Sequence, residues 1–255
     1  LPDGSQIVFD KSDDINRGKI VLEIAKPDMT IAMDQGRQRV EQFFNCMLIG
    51  SDRLENMKQI TYLQPKLLNR QDFRRARHYA ELPINLIPQH KLEQQTLQTT
   101  SDLITKILRL PEEKKDIISR SLRWFRKASE TEGEDRFIFR WISFEVLLGF
   151  LKKRKATQNL IPEFVHRFYD TETAEGILRK HKKTVRILSH AKLESLRGVK
   201  VSEELRNSLK KDRDSKRILQ CVTRCIFEVR NNLFHEGTVP KLMETSSSLL
   251  RDIIR

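Results

Sequence analysis

Three residues near the C-terminus have side-chain types and a spacing that suit acid–base chemistry on a phosphate ester. Arg230 and Asn231 are adjacent, and His235 follows four residues after Asn231. On a helix, Asn231 and His235 share a face, because residues four apart are neighbours on the helix surface. Arg230 precedes His235 by five residues, an offset of about 140° at 3.6 residues per turn. Its long side chain therefore has to swing round to converge on the histidine ring.

Each of these residues suits one part of the reaction. His235 can take the proton from a ribose 2′-hydroxyl or give one to the 5′-leaving oxygen, because imidazole titrates near neutral pH. A position in the last turn of a helix favours its protonated ring. Arg230 offers a planar, permanently charged fork to the phosphate oxygens of the transition state. Asn231 is predicted to orient either the histidine or the phosphate.

A structural interpretation of the same residues also exists. His235 would then cap the carbonyls at the helix end, and Arg230 would form an ordinary ion pair with Glu228 or Glu145. Glu145 interrupts an otherwise apolar segment, and a buried charge normally needs a partner. We therefore predict either that Glu145 holds Arg230 in place or that it has a purely structural role.

The elements that position this site are predicted to be helices. An apolar stripe begins near Ser215, Gly237 is a helix stop, and Pro240 begins a last helix. Upstream, Pro111 with two following glutamates is typical of a helix start. The next segment, 137–151, is apolar nearly all round and is predicted to be a central helix. Three aromatic residues in or before this segment fall at the spacing of helical core positions. They are predicted to lie in the core rather than on a base-stacking surface: Trp124, Trp141 and Phe144.

The positive charge of the chain is concentrated in one region. The net charge is +13, yet residues 1–100 hold 14 Lys and Arg against 13 Asp and Glu, whereas residues 150–217 hold 19 against 9. A local basic surface favours a polyanionic partner, with nucleic acid first and an anionic membrane second. Helical pieces are predicted near 162–169, 172–191 and 203–211, and the histidines at 166, 181 and 190 are predicted to lie on the surface. Four basic residues are predicted either to contact RNA phosphates or to form a charged helix end: Lys152, Lys153, Arg154 and Lys155.

The fold class predicted from these patterns is mainly α. Residues 111–255 form a helical bundle with a basic insertion near 150–217, and residues 1–110 form a smaller mixed α/β region of unknown role. Strand-like alternation in this region includes Lys19–Ile24. The chain begins with neither a signal peptide nor a methionine, so we expect either a trimmed N-terminus or a piece of a longer protein.

Composition excludes several classes of protein. The sequence has no uncharged apolar run of the length that a membrane helix needs, so no membrane partner is expected. Cysteine occurs three times. This small, odd number does not suit a disulfide framework and fits the reducing cytosol. Cys221 and Cys225 lack a complementary Cys/His pair nearby, so we predict buried thiols and neither a metal site nor a cofactor.

Three segments together resemble one family. Arg230-Asn231-x-x-x-His235 is similar to the R-[polar]-x-x-x-H signature of the HEPN superfamily, and residues 229–237 resemble the helix end of ApeA-like HEPN domains. Residues 140–149, an apolar helix with the embedded Glu145, resemble another segment of these domains. The stretch 122–128 with its acidic turn also fits. The resemblance covers roughly residues 112–254.

The resemblance implies both a fold and a function. HEPN domains are bundles of four or five helices that usually pair, so that Arg230 and His235 of both subunits would line one cleft. Active members are metal-independent ribonucleases of conflict systems: toxin–antitoxin pairs, antiviral defence and CRISPR-associated effectors. A homodimeric endoribonuclease, with RNA as substrate and an antitoxin or defence-complex protein as a further partner, is therefore expected. Other members are non-catalytic and bind nucleic acid, nucleotides or proteins within a larger complex, which is the alternative. The basic stretch would be an RNA-gripping surface or a partner-docking arm.

Overall fold

The computed structural model describes residues 17–25, 34, 38, 41–42, 45–46, 49, 61–67, 75–83, 102–151, 157–194, 198–211, 214–235 and 240–255. This part of the chain is mainly α-helical, as predicted. Internal contacts divide the chain into two compact units, Leu1–Leu122 and Arg123–Arg255. We call them unit 1 and unit 2.

Unit 1 contains an antiparallel sheet of three strands in the order β1-β3-β2. The strands are β1 (Arg17–Ala25), β2 (Thr61–Leu67) and β3 (Arg75–Pro83). The β2–β3 register shifts between Leu63 and Lys66. Pro65 lies in this irregular step, where a residue without a backbone N–H costs no ladder hydrogen bond. The mixed α/β character predicted for residues 1–110 as a whole stays a prediction, because most of them lie outside the described residues.

Helices follow one another through the rest of the described chain. They are α1 (Glu112–Ser129), α2 (Gly133–Leu147), a 3-10 helix (Leu148–Leu151), α3 (Thr157–Phe168), α4 (Thr171–Lys180), α5 (Lys182–His190), α6 (Val201–Lys211), α7 (Ser215–His235) and α8 (Pro240–Ile254). The predicted helix starts after Pro111 and near Ser215 and Pro240 are confirmed. Gly133 has a φ of 58°, a left-handed conformation that favours glycine at the turn into α2.

Helix α7 is the centre of unit 2. Helices α3, α4, α5, α6 and α8 all pack against it. Four residues of its predicted apolar stripe are buried, namely Leu219, Val222, Ile226 and Val229, whereas Ile218 and Leu233 of the same stripe are half-buried. A helix enclosed by so many neighbours is held rigidly, because protein interiors are close-packed. The segment that carries the predicted site is therefore built into the core rather than attached to its surface.

An aromatic cluster fills the core beside α2. Trp141 and Phe144 are fully buried, which confirms their predicted core position. Trp124, by contrast, is only half-buried and stacks on Phe139 with ring centroids 5.6 Å apart. The N-terminal part of the predicted 137–151 helix is α-helical, and its last four residues tighten into the 3-10 helix.

The region predicted as one helix over 172–191 is two helices. Helix α4 ends at Lys180 and α5 begins at Lys182, with a break at His181 (φ −106°, ψ 24°). The side chain of His181 is buried, so the sequence prediction of a surface histidine is wrong here, whereas His166 and His190 are exposed as expected. Among the described residues, no helix is long and apolar enough to cross a membrane.

Candidate functional site

The predicted site lies in the last turns of α7, where the helix passes from the core towards its end. Glu228 is buried with 4% of its surface exposed, and Arg230 and Asn231 are half-buried. The apolar stripe of α7 packs on its neighbours, so the polar residues between the stripe positions are held at fixed places along the helix. The sequence therefore positions these groups through the helix itself, not through a loop.

A chain of hydrogen bonds joins three of these side chains. Arg230 Nη1 donates to Asn231 Oδ1 at 3.1 Å, and Asn231 Nδ2 donates to Glu228 Oε2 at 3.0 Å. The carboxylate can only accept and the guanidinium can only donate, so the two neighbours together dictate which way the Asn231 amide faces. Asn231 thus links Arg230 to a buried acid one helical turn earlier.

The carboxylate of Glu228 is unusual because its residue is buried. Burial raises its pKa above the ordinary glutamate value, while the Asn231 hydrogen bond and the positive charge of Arg224 partly oppose that shift. A buried carboxylate needs such donors, because burial of a charge without partners is costly. The sequence predicted Glu228 only as an ion-pair partner of Arg230. The signal for its actual partner was its spacing of three residues from Asn231, which brings two helical side chains together.

The polar row continues from Glu228 towards the start of α7. Arg224 lies four residues before Glu228 and donates from Nη1 to both carboxylate oxygens of Glu204 in α6, each at 2.8 Å. This contact ties α7 to α6, whose Leu205 and Val201 are buried. Arg224, Glu228 and Asn231 thus form a polar row along one side of the helix, with a cation, a carboxylate and an amide in that order.

The structure describes the backbone of His235 as the last residue of α7. Its side chain lies outside the described part of the structure, as do the side chain of Phe234 and residues 236–239. The structure therefore brings Arg230 and Asn231 together and places His235 four residues further along the same helix. The convergence of the His235 ring on Arg230 stays a prediction.

Glu145 takes part in a different contact from the one expected. Thr157 Oγ1 donates to Glu145 Oε1 at 2.9 Å, and this bond links α2 to the first residue of α3. It spans the point where the chain leaves the 3-10 helix, so the carboxylate has a structural partner of its own. Its predicted role beside Arg230 stays a prediction.

Of the basic residues in the stretch 150–217, Lys152, Lys153, Arg154 and Lys155 lie outside the described residues. Exposed basic side chains in the described part include Arg167, Arg179, Lys180, Lys182, Lys183, Arg186, Lys210, Lys211 and Arg217. They lie on α3, α4, α5, α6 and α7.

A second polar cluster, which the sequence did not reveal, joins α4 to α8. Asp252 Oδ2 accepts from His181 Nε2 at 2.7 Å and from Lys180 Nζ at 2.8 Å, and Asp252 Oδ1 accepts from Arg251 Nε at 3.1 Å. Burial would raise the pKa of Asp252, but the hydrogen bonds from His181 and Lys180 and the charge of Arg251 hold it well below its usual range. The buried ring of His181 thus has a carboxylate as its partner.

Arg140 of α2 belongs to the same neighbourhood. It is 4% exposed, and its Nη1 donates to Ser247 Oγ of α8 at 2.9 Å. Burial and the nearby charge of Arg251 lower the pKa of Arg140 to about 10, while Asp252 acts in the opposite direction. Asp252 is therefore an acid that lies close to several cations of α2, α4 and α8.

Cys221 and Cys225 are buried, as predicted. Burial raises the pKa of both thiols, which keeps them protonated and unreactive. Within the described part of the chain, no group of three or more His, Cys, Asp or Glu side chains could hold a metal ion.

No protein-family model matches the chain, and neither a curated protein nor a solved structure matches it significantly. The function has to be argued from the site itself.

Proposed function

We propose that this protein is an endoribonuclease of the HEPN type, which cleaves RNA without a metal ion through Arg230, Asn231 and His235. The observation that carries the proposal is the hydrogen-bonded series Arg230–Asn231–Glu228 in the last turns of the central helix. Such a series holds the guanidinium through its neighbours, as electrostatic stabilisation of a transition state requires. The sequence resemblance to HEPN domains supplies the reaction class.

The proposed reaction is an internal displacement at phosphorus. The ribose 2′-oxygen forms a bond to the phosphorus while the bond from phosphorus to the 5′-oxygen breaks, which gives a 2′,3′-cyclic phosphate and a 5′-hydroxyl. One imidazole takes the proton of the 2′-hydroxyl, and an imidazolium gives a proton to the leaving 5′-oxygen. Arg230 stabilises the charge on the non-bridging oxygens. Asn231 acts by positioning Arg230, because its amide bridges the guanidinium and the Glu228 carboxylate.

Pairing of two copies would complete this site. The attacking and leaving oxygens lie on opposite sides of the phosphorus, so two histidines serve better than one. In a symmetric dimer, the ends of the two α7 helices would face each other and each copy would supply one His235. The wider proposal for the fold is a HEPN bundle in the C-terminal part and a mixed α/β region over residues 1–110. We further propose a cytoplasmic location and a toxin or antiviral role, with an antitoxin or defence-complex protein as partner.

The test is a cleavage assay on single-stranded RNA in excess EDTA, with analysis of the product ends. We expect 2′,3′-cyclic phosphates, and a loss of about 10²- to 10⁴-fold in rate in His235→Ala and of about 10²- to 10³-fold in Arg230→Gln. Matched controls remove the same groups elsewhere: His190→Ala, an exposed histidine, and Arg120→Gln, an exposed arginine. Cleavage that survives in His235→Ala would refute the proposal.

A second function is favoured by the same hydrogen bonds. A guanidinium bound within its own helix also suits a structural element, and a non-catalytic HEPN module that binds nucleic acid, a nucleotide or a protein and regulates a larger complex would need no more. This alternative predicts salt-dependent RNA binding without turnover, retained in His235→Ala. The two functions differ in one readout, because only the ribonuclease yields cyclic-phosphate ends.

A further inference from the structure

A row of aromatic rings runs from the core of unit 2 to its surface. Ring centroids are 5.4 Å apart for Trp141 and Phe144, 5.3 Å for Phe144 and Phe164, and 4.8 Å for Phe164 and Phe168. The first three are buried, whereas Phe168, the last residue of α3, is 46% exposed. Phe150 of the 3-10 helix holds Phe168 from another side in a T-shaped contact at 5.9 Å.

The ring of Phe168 is in contact with two other rings and still leaves nearly half of its surface exposed. The contacts with Phe164 and Phe150 restrict the motion of the ring, so a flat ligand can stack on it with little loss of side-chain entropy. These properties are those of a stacking surface.

Cationic groups adjoin the exposed ring. The guanidinium carbon of Arg167 lies over the Phe168 ring, 5.6 Å from its centroid. Lys216 Nζ donates to the carbonyl oxygen of His166 at 2.7 Å, which places an ammonium group at the C-terminal turn of α3. A partly exposed ring under a guanidinium, with an ammonium group at the end of the same helix, is complementary to a nucleotide, whose base stacks while its phosphate pairs with the cations.

We propose that Phe168, with Arg167 and Lys216, is a base-stacking site for single-stranded nucleic acid, separate from the residues proposed for cleavage. It rests on the proposed function only in that RNA is the natural ligand. Stacking is tolerant of sequence, because every base has a flat face. The site would therefore grip a strand without reading it.

The test measures binding of two labelled oligonucleotides by fluorescence anisotropy, using the full chain. One is a twelve-nucleotide oligothymidylate, and the other has the same deoxyribose-phosphate backbone without bases. Neither has a 2′-hydroxyl, so neither can be cleaved by the proposed mechanism. We expect the base-bearing strand to bind more tightly, and Phe168→Leu to lose about five- to one-hundred-fold of that preference while keeping its affinity for the abasic strand.

Three further variants keep this test decisive. Phe168→Tyr retains a flat ring and should keep the preference, and Leu209→Ala, which alters an apolar residue 42% exposed on α6, should not change it. Arg167→Gln should weaken both oligonucleotides and reduce the salt dependence of binding by about one phosphate contact. Circular dichroism checks that each variant folds.

An unchanged preference in folded Phe168→Leu would overturn the proposal, and so would a loss of preference in Phe168→Tyr. If instead Phe168→Leu changes the affinity for neither oligonucleotide but abolishes pull-down of a protein partner, Phe168 belongs to a protein interface and the proposal is wrong. The outcome of this binding measurement does not depend on whether the protein cleaves RNA. A chain that cleaves nothing in EDTA can still show the stacking preference, and a chain that cleaves normally can lack it.

Discussion

Replacement of Asp252 by asparagine tests whether the cluster between α4 and α8 stabilises unit 2. The side chain is 8% exposed and accepts hydrogen bonds from His181, Lys180 and Arg251. The amide of Asp252→Asn has nearly the same shape but no charge, and its NH₂ group would face a donor. His181 and Arg251, which are 7% and 14% exposed, would lose their acid, as would the buried Arg140 nearby.

The size of the effect follows from burial. Removal of one partner of a buried charge pair costs about 3–5 kcal/mol, because the remaining charge stays buried without compensation. Lys180 is 51% exposed, so its own contact contributes at most about 1 kcal/mol. We therefore expect Asp252→Asn to lower the free energy of unfolding by about 3 kcal/mol, and the melting temperature by about 10 °C at roughly 3 °C per kcal/mol for a unit of this size. Lys180→Met is the matched control and should change the melting temperature by less than about 3 °C.

The same substitution should change the pH dependence of stability. The pKa of Asp252 is depressed in the folded protein, so its contribution is present above the pKa of an unfolded aspartate, about 3.9. It is lost as the pH falls below that value towards the folded pKa. Urea denaturation followed by circular dichroism should thus show a large difference between wild type and Asp252→Asn at pH 7 and a smaller one at pH 3.

Two results would refute this reasoning. One is a loss of less than about 1 kcal/mol in Asp252→Asn at pH 7, which is the value of an exposed pair. The other is a loss that does not shrink at pH 3. A double-mutant cycle with His181→Asn adds a direct measure, since residues in contact are expected to show a coupling of about 0.5–3 kcal/mol.

Two more substitution or labelling experiments follow from the structure. Gly133→Ala should lower the free energy of unfolding by about 1 kcal/mol, because Gly133 has a positive φ of 58° and nothing lies within 4 Å of an added Cβ. Gly133→Asn should lower it by less, because asparagine adopts positive φ more readily. An equal decrease in the two variants would contradict the conformational explanation. Burial raises the pKa of Cys46 to about 12 and also raises that of Cys225, so a disulfide reagent at pH 8 should label these thiols slowly in the native protein and completely in urea. Rapid native labelling of either thiol, detected by mass spectrometry, would show that it is not buried.

Local sequence pattern was sufficient for several helix starts, although it missed the break at His181. The starts after Pro111 and near Ser215 and Pro240 follow from residue types that suit or terminate a helix within a few positions. The buried face of α7 follows from apolar spacing alone, since a 3.6-residue period places those side chains on one side. The Arg-Asn-His site was placed at the end of this helix by the same reasoning.

The tertiary structure decided what the polar residues do. His181 and Asp252 are 71 residues apart in the chain and form a hydrogen bond, and His181 is buried at the break between α4 and α5. Glu145 bonds to Thr157, Asn231 to Glu228, and Phe168 ends half-exposed. Periodicity reports which face of a helix is apolar, but a polar side chain can reach any donor or acceptor that the fold brings near. Partners of buried charges therefore depend on how helices pack, and that packing is a property of the whole chain.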